Sequence, residues 1–264
     1  RPQPAPDPGS DPAPVSIEAS AQAPPPTSQA VRGRTGDDGP LTEWQLPVEA
    51  LAALRINDHD HAVVLCTPAD LADLGYGFAL SEGIVSAPQA IRALQVAQVS
   101  AGYRLDLEIA PAALARQQLR QRRYAAHSGC GLCGVQSLEG ALRPLPPLRR
   151  AHPVSTQAIT RAFTDLPAYQ PIKRCNHSVH AAAWCAADGA IRLVREDVGR
   201  HNALDKLIGA LARDAIDPAT GFVVMSSRCS VELVQKVVTA GIGTLATLSA
   251  PTTLALQLAR QSGL

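Results

Sequence analysis

The sequence has no long apolar run, no excess of charge of either sign and no secretion-type apolar stretch in its first forty residues, and each absence narrows what is expected of it. No stretch reaches the ~18 to 20 consecutive apolar residues that cross a bilayer, so no membrane-spanning helix is expected. The 24 Lys and Arg nearly balance the 23 Asp and Glu, for a net charge of +1, and nothing electrostatic points to nucleic acid. The basic cluster at 116–123 reads as a solvated helix face. The N-terminal segment lacks the unbroken apolar stretch of a signal peptide and is too acidic for a transit peptide. Six cysteines in 264 residues do not make a disulfide scaffold. Cys66, Cys175, Cys185 and Cys229 sit in apolar or mixed segments, where a free cysteine behaves as a small hydrophobe. A reducing, cytoplasmic setting is the expectation.

Residues 1–40 hold ten of the 22 prolines with no apolar periodicity, and are expected to be disordered. The remainder is rich in Ala, Leu and Val and long enough for a sizeable core. A small α+β domain is expected over 41–125. It holds a hairpin with apolar runs Leu51–Ile56 and Ala62–Cys66, a helix carrying Leu71, Leu74, Phe78 and Leu80 that stops near Gly83, and strands between Ala90 and Ala110. Over 126–264 a larger α/β domain is expected. It opens with the cysteine loop, followed by a helix Gln157–Phe163, a hairpin turned at Asp188-Gly189 and a helix Asn202–Ala212. Strand Phe222–Met225, helix Val231–Ala240, strand Leu245–Leu248 and helix Leu254–Gln261 follow, and that alternation implies parallel strands.

The run Ser128-Gly129-Cys130-Gly131-Leu132-Cys133-Gly134 places two thiols three residues apart in a glycine-rich loop. The thiolate is the reactive form of cysteine, and glycines let backbone N–H groups approach the sulfur. A helix starting near Gln136, together with Arg122, Arg123 and His127, would lower a cysteine pKa here. Such a pair suits sulfur chemistry or metal.

In open α/β sheets ligands collect beyond the carboxyl ends of strands, where helices begin. Ser226, Ser227, Arg228, Ser249, Pro251, Thr252 and Thr253 fall at such ends. Their hydroxyls, N–H groups and guanidinium suit a phosphate-bearing ligand, whereas simple helix capping would account for Ser249 alone. The segment Glu196-Asp-Val-Gly-Arg-His-Asn-Ala-Leu-Asp-Lys206 is dense in functional groups. On a helix His201 and Asp205 share a face, as do Asn202 and Lys206, and a carboxylate beside His201 would raise its pKa. Asp197 or Asn202 could equally cap the helix. His180, ahead of Ala181-Ala182-Ala183, reads on its own as a buried, satisfied histidine.

Taken together, Cys130-Gly-Leu-Cys133-Gly, His180-Ala-Ala-Ala, the 196–206 segment, Ser227-Arg228 before Glu232-Leu-Val-Gln-Lys236, Ala240-Gly241-Ile242, Ser249-Ala-Pro-Thr252 and Gly77-Phe-Ala-Leu-Ser-Glu-Gly-Ile84 resemble the FdhD family. These are the formate dehydrogenase accessory sulfurtransferases, and the resemblance spans 45–264. It implies an enzyme that takes sulfur from a cysteine desulfurase as a persulfide. The acceptor would be the molybdenum (or tungsten) bis-molybdopterin guanine dinucleotide cofactor, a bound substrate rather than a permanent group, before its insertion into formate dehydrogenase. The larger domain would be cytidine-deaminase-like. Cys130 would carry the persulfide, with Cys133 as helper. His180, Asp197, Arg200, His201, Asn202, Ser227, Arg228, Ser249, Pro251 and Thr252 would lie near the guanine dinucleotide. A homodimer is also implied, although nothing in the composition establishes it. Where the family has glycine before the histidine, this chain has Asn176-His177-Ser178-Val179.

Two other readings were open to the residues themselves. A zinc deaminase needs His-x-Glu followed by Pro-Cys-x-x-Cys, but Ala181 and Ala182 follow His180, no proline precedes Cys130, and the motif order is reversed. A structural zinc site or redox switch at Cys130 and Cys133 would need two further ligands, for which Cys175, His177 and His180 are the candidates.

Overall fold

A computed structural model of the chain describes residues 16–19, 26–34, 39–111, 145–148 and 153–264. In chain order its first part contains strands β1 (Ser16–Ala19), β2 (Ser28–Arg34), β3 (Leu41–Pro47), β4 (Ala50–Ile56) and β5 (His59–Cys66). Helix α1 (Leu71–Ser81) and strands β6 (Ile91–Val99) and β7 (Gly102–Ile109) follow. Five of these strands form a sheet in the order β1-β6-β7-β4-β5. The β4–β5 hairpin turns through Asn57 and Asp58, both at positive φ, where Asn and Asp are the side chains that best tolerate a left-handed backbone. Asn57 also ties the turn to β7, accepting from Ile109 N–H at 2.7 Å and donating to its carbonyl at 3.0 Å. Leu71, Leu74 and Phe78 of α1 pack with Leu54, Leu94 and Leu105 of the sheet. Each such buried side chain stabilises the fold by about 1.5 to 3 kcal/mol.

Two strands fall within the segment expected to be disordered. β1 runs parallel to β6, and β2 pairs antiparallel with β3 as a separate ribbon on which Val31, Trp44 and Leu46 are exposed. A strand in a proline-rich region needs only a partner for its backbone groups, not a core of its own, and a search for apolar periodicity does not detect such a partner. β3 belongs to this ribbon rather than to the five-stranded sheet.

The second part contains α2 (Thr156–Asp165), α3 (Pro171–Asn176), β8 (His180–Cys185), β9 (Ile191–Asp197), α4 (Arg200–Arg213), β10 (Phe222–Cys229), α5 (Val231–Thr239), β11 (Leu245–Pro251) and α6 (Thr253–Ser262). The sheet order is β11-β10-β8-β9, with β10 and β11 parallel and β8 antiparallel to both β10 and β9. The layer is therefore mixed α/β. Alternation along β8 and β10 sends Ala181, Ala183, Phe222 and Val224 towards α2 on one face. Ala182, Trp184, Val223 and Met225 point to α4 and α5 on the other.

Both strand ends differ from expectation in one respect. β10 does not stop at Met225 but continues through Ser226-Ser227-Arg228 to Cys229, and β11 continues through Ser249 to Pro251. The register against β11 shifts between Met225 and Arg228 and again before Cys229. The polar triplet is thus a bulged strand end rather than a loop, and bulges of this kind re-aim side chains beside functional sites.

The two parts are joined helix to helix. α1 crosses α4 at Gly77 and Gly209, so closely that a Cβ on Gly77 would run into the Asp205 carbonyl oxygen and one on Gly209 into that of Asp73. Asp73 of α1 is ion-paired with Arg195 of β9 at 2.7 Å and with Arg213 of α4. Among the described residues no helix is long and apolar enough to cross a membrane.

Candidate functional site

The strand directions bring most of the residues singled out in the sequence to one edge of the four-stranded sheet. β9, β10 and β11 end there and β8 begins there, with His180 opposite Asp197, Arg228 opposite Ser249 and Cys229 opposite Pro251. Helices α4, α5 and α6 all start at this edge within three residues of their preceding strands. Three helix N-termini, each with unpaired N–H groups and a partial positive charge, therefore converge on one place.

The residues divide into an inner and an outer set. Asp197 and Lys206 are both 0% exposed. Asp197 Oδ2 accepts from Lys206 Nζ at 2.6 Å and from Thr67 N–H at 2.9 Å, while Oδ1 accepts from Gly199 N–H at 2.8 Å and from Asn202 Nδ2 at 3.0 Å. Lys206 also donates to the Thr67 carbonyl at 2.9 Å, and Asn202 to the Leu65 carbonyl at 2.6 Å. Asp197 and Asn202 thus fasten the turn before α4 onto the end of β5. Gly199, not either of these side chains, occupies the N-cap position of α4. Glu196 is similarly occupied, accepting from Ile172 and Lys173 N–H at 2.8 and 2.9 Å at the start of α3.

The outer set consists of Arg228, Ser249, Pro251 and Thr252, which are exposed, with Arg200 and His180 half-buried. Ser227 is buried and its hydroxyl donates to the Arg228 carbonyl at 3.0 Å. The cap of α6 is Thr252, whose Oγ1 accepts from Ala255 N–H at 3.2 Å, leaving Ser249 without that role. His177 takes a left-handed backbone, φ 59°, at the end of α3. Asn176 supports the turn by accepting from Ser178 N–H at 3.0 Å.

His201 does not behave as its spacing suggests. Its expected partner Asp205 is engaged elsewhere, accepting from Ser81 Oγ at 2.6 Å and from Lys236 Nζ at 2.8 Å. The imidazole faces Glu232 instead, Nε2 to Oε2 4.0 Å. Burial, then Arg200 and Lys236, push its pKa down to about 3 rather than up. Burial followed by Arg200 and Lys173 lowers His180 in the same way. Both rings are therefore neutral near pH 7.

Several residues of this region were not legible as functional. Lys236 donates to Asp205, Ser81 and Glu82 and lies 5.5 Å from the Phe78 ring. Burial works against its ammonium group, but Asp205 and Glu82 more than offset this and hold its pKa above the usual lysine value. The segments 77–84, 196–206 and 232–236 thus meet in one buried charge network. The available signal was Glu232 and Lys236, one turn apart in a helix that is apolar on both sides of them; such a helix is buried all round.

Cys130 and Cys133 lie outside the described residues. Burial pushes Cys66 and Cys185 up to about 12 and also raises Cys229, so these three are inert thiols, as expected of small buried hydrophobes. Cys175 is exposed, unlike them. Among the described residues no three His, Cys, Asp or Glu come together as a metal site.

Comparison with known proteins agrees with the motifs. The sulfur carrier protein FdhD of Variovorax paradoxus is 48% identical over 222 residues, covering 84% of this chain and 80% of that protein. The protein of the same name from Chromobacterium violaceum is 47% identical over 241 residues, covering 90% and 89%. In fold, the chain is similar to the crystal structure of a putative formate dehydrogenase accessory protein from Desulfotalea psychrophila, with TM-score 0.70, 22% identity and 90% of each chain covered. The family model described as FdhD/NarQ matches residues 47–264, and the chain belongs to the FdhD/NarQ family.

Proposed function

We propose that this protein is a sulfur carrier in the maturation of formate dehydrogenase, with Cys130 as the sulfur-bearing residue. A cysteine desulfurase persulfide would give its terminal sulfur to the Cys130 thiolate, forming a persulfide on Cys130 and releasing the desulfurase thiolate. Cys133 assists formation or release of that persulfide. The sulfur is then delivered to the molybdenum bis-molybdopterin guanine dinucleotide substrate before its insertion into the enzyme. The reading is supported by the names of the curated relatives. The cytidine-deaminase-like description of the larger part and the homodimer rest on the family resemblance alone.

One observation carries the substrate side of the proposal, the convergence of Arg228, Ser249 and Thr252 with three helix N-termini on a single sheet edge. A guanidinium and unpaired N–H groups are the donors a pyrophosphate requires. Neutral His180 and His201 beside them add no charge that would have to be released during transfer.

The test is intact-mass analysis after incubation with a cysteine desulfurase and cysteine. The unmodified protein should gain sulfur, and Cys130→Ala should not, at unchanged melting temperature. Loading of sulfur on a Cys130→Ala, Cys133→Ala double variant would refute the carrier assignment.

A further inference from the structure

A cavity of about 330 Å³ lies between the two parts of the molecule, at the opposite ends of α4 and α5 from the sheet edge described above. Its depth is apolar, supplied by Val85, Ile208, Leu211 and Ile242, all buried. The connection from α1 to β6 closes one side with exposed Ser86 and Gln89, and the turn after α4 closes the other with exposed Asp217. An apolar hollow of this volume, set between two packed units and rimmed by a few polar groups, has the build of a small-molecule site.

The charge around it has one sign. Asp217 lines the cavity, whereas among the described residues no Lys, Arg or His does. Arg213, on the last turn of α4, is paired with Asp73 instead. Asp217 Oδ1 accepts from Ala219 N–H at 2.9 Å, and Oδ2 has no protein partner among the described residues. The Thr239 hydroxyl donates to the Gln235 carbonyl at 2.7 Å, so towards the cavity it can only accept. Both α4 and α5 end here, at Arg213 and Thr239, and two helix C-termini add partial negative charge to that of the carboxylate. An anion would be repelled at this rim, and a purely apolar molecule would leave its acceptors unused.

We propose that this cavity binds a small apolar cation, its hydrocarbon body against Ile208, Leu211 and Ile242 and its ammonium group at Asp217 Oδ2. The site shares no residue with the sheet edge and is independent of the sulfur-carrier reading. Its walls come from both parts of the chain, so the ligand binds only where the two are joined and raises the melting temperature by mass action.

NMR titration of the isotope-labelled full chain with cyclohexylmethylamine, cyclohexylmethanol and cyclohexanecarboxylate tests it, since these probes have nearly one shape and are cationic, neutral and anionic at neutral pH. The amine should bind at least about fivefold more tightly than the alcohol, and the carboxylate most weakly. Asp217→Asn keeps the acceptor for Ala219 N–H and should bring the amine to within about twofold of the alcohol, the helix ends supplying what remains. Ala212→Phe, which places a ring in the cavity, should abolish binding of all three at unchanged far-UV circular dichroism. Equal affinity for amine and carboxylate, no saturable binding of the amine, or binding that survives in a folded Ala212→Phe variant overturns the proposal. So does an amine preference that Asp217→Asn leaves whole, and that comparison decides alone if Ala212→Phe does not fold.

Discussion

Burial makes His201 a group that the folded protein holds without a proton, and this has a defined effect on stability. Its pKa, pushed down to about 3, lies below the ~6.5 of an unfolded histidine. Between those values the unfolded chain binds one more proton than the folded one. The stability that His201 leaves intact above pH ~6.5 is therefore lost progressively as the pH falls towards 3. His180, also lowered by burial, acts in the same direction. Denaturant midpoints should fall between neutral pH and mildly acid pH, and His201→Gln should flatten that fall. If the variant kept the full pH dependence, the acid sensitivity would belong to other groups. Lys206 and Lys236 show what a single residue cannot reveal at this scale. Neither is given its partner by the sequence, and each is buried with partners far along the chain, Thr67 for one and Ser81 and Glu82 for the other.

At the scale of elements, the α1–α4 crossing separates two glycines of the same helix. Gly77 meets the α4 backbone, so a methyl group there must push the helices apart, whereas a Cβ on Gly75 would meet only the flexible ends of Leu94 and Leu105. Gly77→Ala should cost at least about 1 to 3 kcal/mol as an overpacking change. Gly75→Ala should cost less or even stabilise, because alanine is favoured over glycine in a helix by about 0.5 to 1 kcal/mol. Urea titrations of the two variants would show the contrast, and equal losses would mean that the crossing is looser than it looks. The elements themselves were largely legible. The β4–β5 hairpin, α1 and the alternation of β10, α5, β11 and α6 follow from apolar periodicity with its Asn-Asp and glycine punctuation, because that information is local. The bulge in β10 was not, since Ser226-Ser227-Arg228 has the composition of a loop and only pairing with β11 keeps it in the strand. The inward commitment of Asp197 and Asn202 was hidden for the same reason, as both bond to residues more than a hundred positions away.

In the molecule as a whole, the two sheets are joined by bonds that leave little freedom between them. Thr67 is held by Asp197 and Lys206, Asp73 by Arg195 and Arg213, and Ser81 by Asp205. Unfolding should therefore be a single event for both parts. In a Trp44→Phe background, urea transitions followed by Trp184 fluorescence, which reports the second sheet, and by far-UV circular dichroism should coincide; separated midpoints would show two independent units. The same connections impose an order on synthesis. At about 5 to 20 residues per second, several seconds separate Ile109, which completes the first sheet, from Arg195 and then α4. In that interval α1 lies without α4 to cover it and Asp73 lacks either arginine. The nascent first half must therefore wait for the second before the bonds that join the two sheets can form, and a chain released before α4 leaves Thr67, Asp73 and Ser81 without the partners that hold them.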